Sequence, residues 1–138
     1  MITQMVAHVV GFAEELECFT AGFSEHHIEA GFSLLFQAQA DAYAPDQQDI
    51  ELGMDTYCIV TGDQSGVHYG GLQHAELAGN ELQLIFKPGI GHKFGVADQL
   101  RVRLEVNASA LREFKEGFRQ VVSVPWGRAS EKPTLSGF

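Results

Sequence analysis

The chain has 138 residues, enough for one ordinary core and too few for two domains, and 45% apolar content with ten Phe places it in the globular class. Thirteen acidic side chains fall between Glu14 and Glu81 before the first base, Lys87, whereas residues 87 to 138 hold nine bases against five acids, for a net −9. Average composition would put about ten bases in that first stretch. Their absence disfavours nucleic acid and anionic membranes as partners and favours cationic ones.

In chain order, Val6, His8, Val10 and Phe12 share one face of a first predicted strand, and Leu16 to Phe23 make a second. Phe32, Leu34, Phe36 and Ala38 alternate with Ser33, Gln37 and Gln39, the pattern of a half-buried strand. Asp41 to Asp55, reading DAYAPDQQDIELGMD, has no sustained period and is the longest expected loop. Thr56 to Thr61, Leu72 to Leu77 and Leu82 to Phe86 are further strands, the last two joined by a hairpin turn at Ala78, Gly79, Asn80 and Glu81. Pro88 to Phe94 suggests a helical turn ended by Gly95. Leu100, Val102, Leu104 and Val106 then alternate with Arg101, Arg103 and Glu105.

Helical spacing links Leu111, Phe114, Phe118 and Val121, with Asn107 or Ser109 placed to cap the first turn. Gly117 costs this helix about 1 kcal/mol against alanine. The expectation is an α+β fold: a mainly antiparallel β-sheet of about six to eight strands with one C-terminal amphipathic helix packed on it. Residues 1–122 form the domain, and residues 123–138, with Pro125 and Pro133, form a flexible tail.

Chemical motifs are mostly absent. Cys18 and Cys58 lie in apolar segments and read as buried reduced thiols. His26 and His27 diverge, and His68 and His74 have no metal-ligand spacing. Ser65 directly precedes Gly66 instead of standing centred between glycines, so GDQSG is a turn and not a nucleophile elbow. Gly89 and Gly91 near Lys87 and Lys93 lack the phosphate-loop pattern. No catalytic residue, metal site or cofactor is expected, and the chain is read as a non-enzyme. The N-terminus has no basic leader followed by a cleavage site, and no apolar run reaches membrane-spanning length, which makes the cytoplasm the expected location.

Surface recognition remains. Asp46, Asp49, Glu51 and Asp55 concentrate charge that suits a basic cleft on a protein partner, and Tyr43, Met54 and Tyr57 add apolar contact. A merely solvated loop, or one covered by the C-terminal bases, is the competing reading. A small-molecule pocket lined by Phe, an enzyme using His68 or His74 with a carboxylate, and a homodimer paired at a strand edge also stay open.

The stretch PDQQDIELGMDTYCIVTGDQSGVHYGGLQHAEL, then LQLIF, a KFG turn, and LRVRLEV leading into ALREFKEGF resembles the immunity-protein family numbered ten of bacterial polymorphic toxin systems. LGMDTY at Leu52 to Tyr57 is central to the likeness, with Gln48 and Asp49 before it and Tyr69, Gly70 and Gly71 after. The resemblance spans roughly Phe32 to Val122 and implies a small cytoplasmic α+β protein that neutralises a cognate toxin, often a nuclease, encoded beside it. It carries over no contact residues. A nuclease needs a cationic groove for phosphates, which an acidic protein can occupy.

Overall fold

The computed structural model describes residues 1–26, 31–40 and 44–138. Its elements are β1 (Thr3–Ala7), β2 (Val9–Glu15), β3 (Cys18–Ser24), β4 (Ser33–Gln39), α1 (Gln47–Glu51), β5 (Cys58–Thr61), β6 (Val67–Tyr69), β7 (Leu72–Ala78), β8 (Glu81–Phe86), β9 (Gln99–Leu104), α2 (Ala108–Val122) and β10 (Thr134–Ser136). They form two five-stranded sheets. One is antiparallel throughout, in the order β2-β3-β4-β5-β6; the other runs β1-β9-β8-β7-β10 and is mixed, because β1 and β10 pair parallel to their neighbours.

Alternation decides what each strand buries. Phe19, Ala21 and Phe23 on β3 and Leu34, Phe36 and Ala38 on β4 face inward from the antiparallel sheet. The mixed sheet answers with Leu82, Leu84 and Phe86 on β8 and Leu100, Val102 and Leu104 on β9, and all join one apolar cluster. Helix α2 lies across the inner side of β2, β3 and β4, burying Phe114, Phe118, Val121 and Val122. Asn107 caps it by accepting the Ala110 amide proton at 2.8 Å. The Phe118 ring meets Phe36 edge-on at 4.9 Å between centroids and stacks on Phe138 at 5.1 Å. The antiparallel strands and the amphipathic helix are as expected.

Gly117 has a reason the helical spacing does not reveal. A methyl group there would run into the Phe12 ring, so the glycine lets β2 press against the helix backbone. Gly95 ends a 3-10 turn at Gly91–Phe94 with φ of 76°, as expected of a left-handed cap.

Several expectations need correction. The predicted first strand is two strands in different sheets, broken at His8, whose ring Nδ1 lies 2.8 Å from the Glu25 carbonyl. The break also shifts the alternation: Ala7 is buried in the mixed sheet while Val10 and Phe12 pack inward from the antiparallel one, so Val6 does not share their face. The acidic stretch holds the one-turn helix α1 instead of an uninterrupted loop. The tail is docked and not loose: Val124 is buried, Trp126 Nε1 donates to the Gln39 carbonyl at 3.1 Å, and β10 joins the mixed sheet beside β7. Three-residue strands such as β6 and β10 are too short to show a period, which is why ten strands appear against the expected six to eight.

Candidate functional site

The pairing register fixes which side chains leave the antiparallel sheet on the side away from α2. Val9, Gly11 and Ala13 stand beside Ser24, Gly22 and Thr20, which stand beside Ser33, Leu35 and Gln37. Cys58 and Val60, then Tyr69 and Val67, complete the face. None of these residues is charged. An open sheet face ordinarily alternates to polar and charged groups, yet this one carries small, aliphatic and uncharged polar residues until Glu15 at one end.

Three adjoining depressions cover it. One of about 430 Å³ lies over Val9, Gly11, Ala13, Thr20, Gly22 and Leu35. The next, about 340 Å³, continues from Leu35 across Gln37, Cys58, Val60 and Val67. The third, about 190 Å³, is bounded by Cys18, Gln39, Asp49, Met54, Tyr69 and Trp126. The first is a trough because Gly11 projects no side chain and a Cβ there would meet nothing within 4 Å, while the Leu35 side chain leans over its ladder partner Gly22 and forms one wall.

The third depression brings part of the predicted acidic site to the edge of this face. Asp46 and Asp49 form a capping box: Asp46 Oδ1 accepts from the Asp49 amide at 2.8 Å, and Asp49 Oδ2 from the Asp46 amide at 3.1 Å. Asp46 and Glu51 remain exposed, while Asp49 and Met54 are half-buried against the depression. Tyr69 beside them has its phenol pushed upward in pKa by burial, with Cys58 and Asp49 adding to the effect. The turn between β2 and β3, with Glu15 and Glu17, adjoins the same end, since Glu15 pairs with Cys18 and Cys18 with Gln39.

Other predicted contacts are placed elsewhere. Tyr57 is fully buried and offers no surface to a partner. Its hydroxyl donates to the Glu131 carbonyl at 2.9 Å and accepts from the Leu72 amide at 3.1 Å, and burial drives its pKa well above the ordinary phenol value. Asp55 is largely covered and paired with Arg128 at 2.5 Å. Glu131 completes this clip by accepting from the Gly71 amide at 2.9 Å and from Lys87 Nζ at 2.8 Å. Burial alone would raise the Glu131 pKa, but Lys87 and the Gly71 amide outweigh it and hold the carboxyl below its usual range. Tyr43 lies outside the described residues.

Folding keeps the charge partition. No Lys or Arg occurs in β2 through β6 or their connections. Ion pairs among the described residues draw the C-terminal bases to Asp55 and Glu81 from the acidic stretch, and otherwise to Glu105, Glu116 and Glu131. Glu14, Glu15, Glu17, Asp46 and Glu51 have no ion-pair partner among them.

The competing chemistries find little support. His74 Nδ1 bonds the Thr134 hydroxyl at 2.6 Å, and neither His68 nor His74 reaches a carboxylate by a hydrogen bond among the described residues. No group of His, Cys, Asp and Glu among these residues could hold a metal ion. Ser65 belongs to a turn in which Asp63 accepts from its hydroxyl at 2.7 Å and from Thr61 at 2.8 Å, bringing the Asp63 pKa to about 2. The Gly89 and Gly91 amides are both taken by the Asp98 carboxylate, at 3.0 and 2.9 Å. Cys18 and Cys58 are free and flank β4, so two strand spacings of about 4.8 Å each keep them beyond the ~7 Å Cα limit of a disulfide.

The uncharged face went unnoticed in the sequence. Its signal is the identity of the outward residues on β2 and β3, where Gly, Ala, Thr and Ser replace the charges that flank Leu100 to Leu104. A family model described as Immunity protein 10 matches residues 6–112, a stretch that includes the whole antiparallel sheet. No curated protein matches the chain.

Proposed function

The chain belongs to the Immunity protein 10 family, and from that premise we propose that it binds and neutralises a cognate toxin domain through its acidic end, in the cytoplasm of the producing cell. Members of an immunity family act by binding, and the chain is not an enzyme. The observation that carries the acidic reading is the absence of any base from the antiparallel sheet, together with Asp46, Asp49 and Glu51 gathered on α1 at its rim. Such a surface suits a toxin with a cationic cleft, the kind a nuclease uses to hold phosphates, and it speeds encounter by steering. Met54 supplies apolar contact beside Asp49. Asp55 and Tyr57 belong to the internal clip and play no part in this contact.

The test is the association rate with the toxin encoded beside this chain. Asp46→Asn, Asp49→Asn and Glu51→Gln together should slow association several-fold at low salt, with the difference shrinking as salt rises. Asn remains a good N-cap, so α1 keeps its first turn. An unchanged on-rate at low ionic strength overturns the acidic reading.

A further inference from the structure

We propose that the uncharged outer face of the antiparallel sheet is the surface on which the toxin seats, with the trough at Gly11 beside Leu35 receiving an apolar side chain of the toxin that is flanked by Lys or Arg. This rests on the immunity reading and adds to it the place where the bound state is held. Open depressions lie over the Gly11 to Val67 part of this face while Asp49, Met54 and Trp126 border its other end, whereas its opposite side is closed by α2. Three strands of seven residues, one of four and one of three, at about 4.8 Å spacing and about 3.4 Å rise, give a face of roughly 460 Å². That is somewhat over half of one partner's share, about 800 Å², of a standard interface, and the acidic rim adds to it.

The chemistry of the occupant follows from what surrounds the face. Val9, Ala13, Leu35, Val60 and Val67 offer no charge to satisfy, so the part of the partner that lands on them must be apolar to avoid stranding a desolvated charge. Glu15 and Glu17 from one turn and Asp46, Asp49 and Glu51 from α1 border one end, which calls for bases on the partner just beyond its apolar patch. A second copy of this chain is the weaker fit, because it brings a further net −9 against the same face. The division of labour is that the acids set how fast the toxin arrives and the sheet face sets how long it stays.

Gly11 makes the test clean. It is exposed, it does not adopt the left-handed backbone region, and a Cβ built on it meets nothing within 4 Å. Gly11→Glu therefore fills the trough without strain and leaves the acidic rim intact or stronger. Val67→Glu, on a side chain 51% exposed, is a second variant whose folding is equally insensitive. Gln83→Glu on the mixed sheet is a charge-matched control.

Dissociation and association rates with the purified toxin domain, and the melting temperature of each variant, are the readouts. The expected result is a dissociation rate raised at least tenfold by Gly11→Glu and by Val67→Glu, with unchanged melting and unreduced association, and no effect of Gln83→Glu. Wild-type kinetics in both face variants overturns this inference while leaving the immunity reading standing. A wild-type chain that does not bind the toxin overturns both. A free chain that sediments as a dimer, and as a monomer once Gly11→Glu is made, assigns the face to a second copy and overturns the toxin as its occupant.

Discussion

The two sheets share one core and one rule of alternation, yet they finish their outer surfaces differently. On the mixed sheet the outward residues complete one another: Arg101 pairs with Glu81 on the neighbouring strand at 3.1 Å and Arg103 with Glu105 at 2.8 Å. Parallel strands from the two ends of the chain, β1 and β10, occupy its edges. The antiparallel sheet has no outward cation, no cross-strand ion pair and two depressions lined largely by small or aliphatic residues. One sheet pairs its outward charges within the chain, and the other leaves its outward face uncharged.

The strongest attack on this comparison is at the joint between the sheets. Phe118→Ala removes packing against Phe36 of the antiparallel sheet and against Phe138 beyond β10 of the mixed one. It should cost about 3–5 kcal/mol in urea unfolding, as a single transition. Two separate transitions would show that the sheets are independent and that the comparison describes two modules.

Next is the clip that holds the C-terminal segment to the mixed sheet. Tyr57→Phe leaves the Leu72 amide without its acceptor and the Glu131 carbonyl without its donor, for about 1–3 kcal/mol, with residues 123–138 becoming easier to proteolyse. The same segment should respond to acid. Because the folded Glu131 carboxyl titrates below its ordinary value, its contribution is complete above the unfolded value, near pH 4.5, and is lost as pH falls through the depressed one. Cleavage of the tail should rise on acidification below that pH, and Glu131→Gln should remove that dependence.

Gly117→Ala sharpens the account of α2. Helix propensity alone predicts a gain of about 1 kcal/mol, but crowding against Phe12 typically costs 1–3 kcal/mol, so the net change should be a loss of about 1 kcal/mol in thermal unfolding. A more stable variant would mean that Phe12 moves aside without penalty. Smallest of all is Arg103→Gln. Its ion pair with Glu105 is solvent-exposed, so stability should shift by less than about 0.5 kcal/mol, and a larger loss would show that the mixed sheet depends on its charges for more than surface finish.

Much of this was legible in the residues, and the exceptions have physical causes. β4, β9 and α2 announce themselves because Leu34 to Ala38, Leu100 to Leu104 and Leu111 to Val121 sustain one period over several residues. β10 did not, since a three-residue edge strand is defined by its neighbour β7 and not by its own pattern. At His8 the period itself misled, because the chain changes sheets and the alternation resets. The acids of α1 were visible, but their spacing as a capping box at Asp46 and Asp49 passed as loop composition. Tyr57 and Asp55 stand apart from α1 for a related reason: proximity in sequence to Asp49 says nothing about the residues, Glu131 and Arg128, that reach them from the far end of the chain.

The Asp98 carboxylate seated on the Gly89 and Gly91 amides has a bearing on what the protein ignores. Two convergent backbone donors beside Lys87 and Lys93 are the makings of a phosphate cradle, and here a tethered side chain occupies them at an effective concentration in the millimolar range or above. Hydrogen bonding to those amides also keeps that carboxyl ionised to lower pH than a free aspartate. Free nucleotides and nucleic-acid backbones thus meet a plugged socket on this basic turn.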